Sequence, residues 1–175
     1  MKERYSLLRY ENLRWLARTS IVHLVTILLL FLSFVSLSFP YTDFVRPVFI
    51  LIPIYYWCLF RPSMMPILFV FLLGLIIDLI NSYPVGLHAF LFITIHLVLS
   101  TQRLFLLGQP YLMQWLGFAI TSISFFLSQW LFFAVIYTDF GSIADLIANI
   151  VITALFYPII ALLLANLRKL LPPTL

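Results

Sequence analysis

The sequence predicts an all-α, polytopic membrane protein, a six-transmembrane-helix bundle built as one integral membrane domain over residues 1–175. Three observations predict it. Hydrophobic residues make up 64% of the chain and charged ones only 9%, where a soluble domain carries about 25% charged residues. The apolar excess runs from about Ser20 to Leu167 in separate stretches, so it is not one anchor on a soluble body. Basic residues fall at alternate breaks between those stretches, the pattern expected of loops held on the cytoplasmic side.

The chain opens on a basic segment, residues 1–19, with Lys2, Arg4, Arg9, Arg14 and Arg18 partly offset by Glu3 and Glu11. Next to an apolar run this is a topology determinant. A basic amphipathic surface helix is a second reading, with Tyr5, Leu8, Trp15 and Leu16 roughly at helical spacing. The net charge of +4 has no nucleic-acid motif behind it, so no nucleic-acid partner is expected. Ser20–Phe39 is longer than the roughly 7–15 residues of a signal-peptide core, and reads as an uncleaved first span.

The remaining spans are expected at about 48–60, 66–80, 87–101, 111–137 and 143–167, with a short basic tail over 168–175. Pro40-Tyr41-Thr42-Asp43, Arg61-Pro62-Ser63, Asn81 to Gly86, Gln102-Arg103 and Thr138 to Ser142 supply the breaks. The second and third segments are short against the roughly 17–25 residues of a crossing helix. They read either as a re-entrant hairpin, which needs protein or water around its irregular backbone, or as short spans in a compact bundle. Charge decides between them. Six crossings from a cytoplasmic N-terminus place nine of the ten basic residues inside and leave only Arg46 outside, whereas a hairpin would put Arg61 at membrane depth. Trp57 and Trp115 then fall near inner boundaries, and Tyr41 and Tyr137 near outer ones.

Chemistry-bearing constellations are sparse. His23, His88 and His96 are the only histidines and Cys58 the only cysteine, so no intrachain disulfide forms. His88 and His96 are too far apart to share a metal as an i, i+4 pair would. The three histidines read as groups hydrogen-bonded between helices. No nucleophile–base or phosphate-loop motif occurs. Neither an enzyme nor a cofactor or metal site is expected.

Asp78 is the acidic residue expected within a span, at a cost of roughly 2.5–3.5 kcal/mol at mid-bilayer. It is expected near the outer end of its helix, paired with Arg46. Gly74, one turn earlier, would permit close helix approach. Thr121, Ser124 and Ser128 form a small polar stripe beside Ser122 and Gln129. It reads as helix-packing glue, facing Asn149 and Thr153 of the last span.

Arg46-Pro47, Tyr56-Trp57, Arg61-Pro62, Gly74-x-x-x-Asp78 and the turn Ser82-Tyr83-Pro84-Val85-Gly86-Leu87 follow in that order. This stretch resembles the MreD family of rod-shape-determining inner-membrane proteins; Val85 stands where that turn would carry Leu. The resemblance implies a non-enzymatic scaffold of the bacterial cell-elongation (elongasome) machinery. It implies partnership with an MreC-like protein and, indirectly, with MreB filaments, RodA and a penicillin-binding transpeptidase of peptidoglycan synthesis. Under it, Arg46, Pro47, Tyr56, Trp57, Gly74, Asp78, Pro84 and Gly86 are the structural or partner-docking positions. The family is similar in architecture to the substrate-binding subunits of energy-coupling-factor vitamin transporters, the alternative reading. Against that alternative, the first span carries Ser33, Ser36 and Ser38 in place of an Ala-x-x-x-Ala docking face, and pocket-forming polar residues look sparse.

Overall fold

The computed structural model describes residues 19–35, 37–39, 42–137 and 142–171. The basic residues of the N-terminal segment, together with Trp15, Tyr41, Asp139 and the last four residues of the tail, lie outside them. Helix α1 covers Thr19–Leu32. A β-hairpin follows, β1 (Leu37–Phe39) pairing antiparallel with β2 (Thr42–Val45) in the register Leu37↔Val45 and Phe39↔Thr42. Then come α2 (Leu51–Phe60), a 3₁₀ turn (Pro62–Met64), α3 (Ile67–Ile80), α4 (Leu87–Leu107), α5 (Tyr111–Tyr137) and α6 (Ile143–Leu170).

Among the described residues three helices are long and apolar enough to cross a membrane: α4 over 21 residues, α5 over 27, and α6 over the 27 residues Ile143–Lys169. The described parts of α1, α2 and α3 are shorter. At 1.5 Å per residue the 10 residues of α2 extend only about 15 Å, half a bilayer core.

That short helix is the centre of the fold. Every residue from Leu51 to Leu59 is buried, as a helix apolar on all faces requires. It packs against α4, α5 and α6. Tyr55, Phe118 and Tyr157 bring rings from α2, α5 and α6 together, with centroids 4.5–5.8 Å apart. The Tyr55 hydroxyl donates to the Gln114 carbonyl at 2.8 Å. Trp57 is fully buried here, packed within protein on a helix that is enclosed from Leu51 to Leu59.

The outer helices are one-sided. On α3, Val70, Leu73, Gly74, Ile77 and Asp78 face inward, while Leu68, Leu72, Ile76 and Leu79 are exposed. That is the face a lipid environment covers, since apolar groups there need no protein partner.

Two boundaries differ from expectation. The first helix stops at Leu32 rather than Phe39, because the Ser33 hydroxyl donates back to Leu29 O at 2.9 Å and accepts from Ile50 N–H at 3.1 Å. Such local bonds compete with the helix, and the chain folds back as a hairpin. Helix α4 continues past Gln102-Arg103 to Leu107. Arg103 is no terminator, since its Nε–H reaches the Leu59 carbonyl at 2.8 Å and satisfies the frayed end of α2.

Side chains repair backbone breaks elsewhere too. Pro158 lies inside α6, so it cannot donate to the carbonyl four residues earlier, Ala154. The indole N–H of Trp115 donates to that carbonyl instead, at 2.9 Å. His96 Nε2–H similarly donates to Met65 O at 2.9 Å, in the link before α3. In lipid such carbonyls have no water to turn to.

Candidate ligand cavity and the turn that shapes it

The α3–α4 connection is organised by one carboxylate. Asp78, fully buried on α3, accepts from the Gly86 N–H at 2.9 Å and from the His88 N–H at 3.1 Å. It also accepts from His88 Nδ1–H at 2.7 Å. A side chain from the end of one helix therefore caps the start of the next, where orphan N–H groups and the positive dipole end favour an anion. Gly86 adopts φ +100°, a left-handed conformation that an L side chain resists. A Cβ on Gly74 would lie 2.4 Å from Ala89 Cα, so only glycine lets α3 and α4 approach closely enough for the cap to form. Pro84 closes the turn through Leu87 N–H→Pro84 O at 3.1 Å.

This corrects the expected Asp78–Arg46 pair. Among the described residues the side-chain partner of Asp78 is His88. The local turn brings donors to the carboxylate before any residue of the hairpin can reach it. Arg46 instead donates its backbone N–H to Asn149 Oδ1 at 2.7 Å, and its Nη1 sits 3.5 Å from Asn81 Oδ1. Pro47 is buried beside it, and Tyr56 is buried in α2 with its ring 4.6 Å from that of Phe60.

The polar stripe of α5 is also corrected. Ser124 and Ser128 are exposed, and Thr121 donates to its own helix at Gly117 O, 2.9 Å away. Ser122 is the buried hydroxyl, between Phe118 and Phe125 on the inward face. The face is set by Gln114, Phe118, Ser122 and Phe125–Phe126, a register one residue off the stripe. On α6, Thr153 is fully buried, and Asn149 holds the Arg46 backbone rather than α5. Of the histidines, His88 and His96 bond between elements as expected. His23 bonds Thr19 O of its own helix and sets its ring edge against Phe69.

Above the capped turn lies a cavity of about 720 Å³. The hairpin exit contributes Arg46, the turn Asn81 and Tyr83, and α4 His88. The last turns of α5 contribute Gln129, Trp130 and Phe133, and the first turns of α6 Asp145 and Asn149. Polar side chains that look sparse along the sequence are gathered here. Tyr83 stacks on His88 with centroids 5.1 Å apart, so the cap forms part of the wall. Two buried acceptors of this wall, Gln129 Oε1 and Asp145 Oδ1, have no hydrogen-bond donor. Sequence reasoning missed Asn81, Tyr83 and Asp145 as a group; the available signal is that all lie at span ends which an alternating topology brings to one side. Among the described residues no group of three metal-ligating side chains forms.

Three apolar helices of spanning length around a buried central helix, with a polar cavity at one end, define an integral membrane protein. The family model of rod shape-determining protein MreD matches residues 11–167, and the chain belongs to that family. Neither the curated proteins nor the solved structures contain a match to it. The family is defined by a part in rod-shape determination, not by a catalysed reaction.

Proposed function

We propose that the protein is a non-enzymatic scaffold of the cell-elongation machinery, seated in the bacterial inner membrane with six spans and both termini cytoplasmic. On this reading it holds an MreC-like protein, and through it MreB filaments, RodA and a penicillin-binding transpeptidase. The observation that carries the reading is the family match over residues 11–167. The structure supports it through the fate of the polar groups: Asp78, His88, His96, Arg103 and Trp115 are all engaged in holding backbone. Groups so engaged are positioned for stability rather than turnover. Arg46, Tyr56, Gly74, Asp78 and Gly86 then serve docking indirectly, by fixing the helices that present the partner surface.

Purification of the tagged full chain in mild detergent tests the proposal. Co-elution of an MreC-like protein is expected. Co-elution of an ATPase module in its place would establish the transporter alternative.

A further inference from the structure

We propose that the cavity binds a small zwitterion carrying a primary ammonium and a phosphate, the chemistry of an ethanolamine phospholipid headgroup or of free phosphoethanolamine. The cavity volume of about 720 Å³ falls within the roughly 300–1,000 Å³ of small-ligand sites. Its walls carry one cation and one anion that do not satisfy each other. Among the described residues the Arg46 guanidinium reaches only Asn81, at 3.5 Å, the outer limit of a hydrogen bond. Asp145 Oδ1 is buried with no donor, as is Gln129 Oε1 on the facing helix. Two buried acceptors without donors in one cavity point to a ligand bearing N–H groups, because a desolvated carboxylate oxygen left unpaired is costly.

The opposite charges on the wall, at headgroup depth, select the class. Asn149 holds the Arg46 backbone at 2.7 Å, and Asp145 lies one turn before Asn149, about 6 Å along the axis. Among the described residues no ion pair joins Arg46 to Asp145. A ligand that satisfies both carries an anionic group for Arg46 and a cationic N–H group for Asp145, both of which line the cavity. Arg46 would take the phosphate with its planar fork. Asp145 and Gln129 would take the ammonium, with the rings of Tyr83 and Phe133 alongside, where a cation is attracted to the π faces. The first turns of α4 and α6 and the last turns of α5 meet at this cavity. Those are the ends of the three helices of spanning length, the depth at which a headgroup lies. None of this depends on the scaffold reading.

The test is lipid-resolved native mass spectrometry of the full chain in detergent, offered equimolar phosphatidylethanolamine, phosphatidylcholine and phosphatidylglycerol of matched acyl chains. Ethanolamine lipid should be retained about tenfold over the other two, the ratio one charge-assisted hydrogen bond supplies. Phosphatidylcholine keeps the charges but has no N–H to give; phosphatidylglycerol keeps the phosphate without the ammonium. Asp145→Asn and Arg46→Gln should each abolish the preference while the protein still elutes as a single species. Loss of the bound ethanolamine lipid on adding soluble O-phosphoethanolamine would mark the free zwitterion as ligand, and its retention the lipid. Equal retention of all three lipids by the unmodified protein, with no adduct of O-phosphoethanolamine, overturns the proposal without recourse to any variant.

Discussion

Asp78 Oδ1 lies 2.7 Å from His88 Nδ1, and this contact closes the turn between α3 and α4. Around it, the Gly86 and His88 backbone N–H groups converge on the same carboxylate. The Gly-x-x-x-Asp element and the Pro-x-Gly turn therefore form one device. Gly74 allows the close approach, Asp78 supplies the cap, and Gly86 turns the chain so that the cap is reached.

Asp78→Ala should lower stability by about 3–5 kcal/mol, since it strands buried donors in a low-dielectric site. His88→Ala should cost less, because the two backbone donors keep their acceptor. A double-mutant cycle on Asp78 and His88, read by thermal unfolding in detergent, should be non-additive. The same cycle on Asp78 and Arg46 should be additive. The reverse pattern would reinstate the arginine as partner.

Gly74→Ala should destabilise by about 1–3 kcal/mol, as an overpacked core does. The added methyl meets backbone at Ala89, which cannot swing aside. Thermal unfolding of Gly74→Ala in detergent checks this, and an unchanged melting temperature would refute the close-approach account.

Trp115→Phe should cost about 1–3 kcal/mol by leaving the Ala154 carbonyl without a donor. Adding Pro158→Ala restores a backbone N–H to that carbonyl and should recover most of the loss. Thermal unfolding of the single and double variants checks this, and a double variant no more stable than Trp115→Phe would show that the indole serves another purpose.

Ser122→Ala should be neutral or mildly stabilising, because the buried hydroxyl has no partner and its removal relieves a desolvated polar group. Ser124→Ala and Ser128→Ala, on the exposed face, should change unfolding by less than about 0.5 kcal/mol. A large loss at either exposed serine would place that face against a partner.

Reporter fusions at Leu175 and at Asp139 should report opposite compartments, given that nine of the ten basic residues fall on one side of a six-span arrangement. The same compartment for both would sink that topology.

By itself the sequence determined the membrane class, the helical content and the approximate breaks between helices. Those follow from local quantities, namely apolar run length and the positions of Pro, Gly and charge, which act wherever the chain goes. It also marked Gly74, Asp78 and Gly86, since a carboxylate and two glycines in an apolar stretch need a structural reason. Tertiary structure alone decided the partners. Asp78 met His88 rather than Arg46 because hydrogen bonds depend on ångström distances set by the turn, while charge counting sees only which side of the membrane a residue occupies. Ser122 turned inward in place of Ser124 because the large rings of Phe118, Phe125 and Phe126 set the rotation of α5, and two small hydroxyls cannot outweigh them. That Trp57 is buried in the core was decided by packing, because α2 is enclosed by its neighbours. The cavity was invisible along the chain for the same reason: Arg46, Asn81, Gln129 and Asp145 are scattered over a hundred residues, and only helix packing brings four span ends to one place.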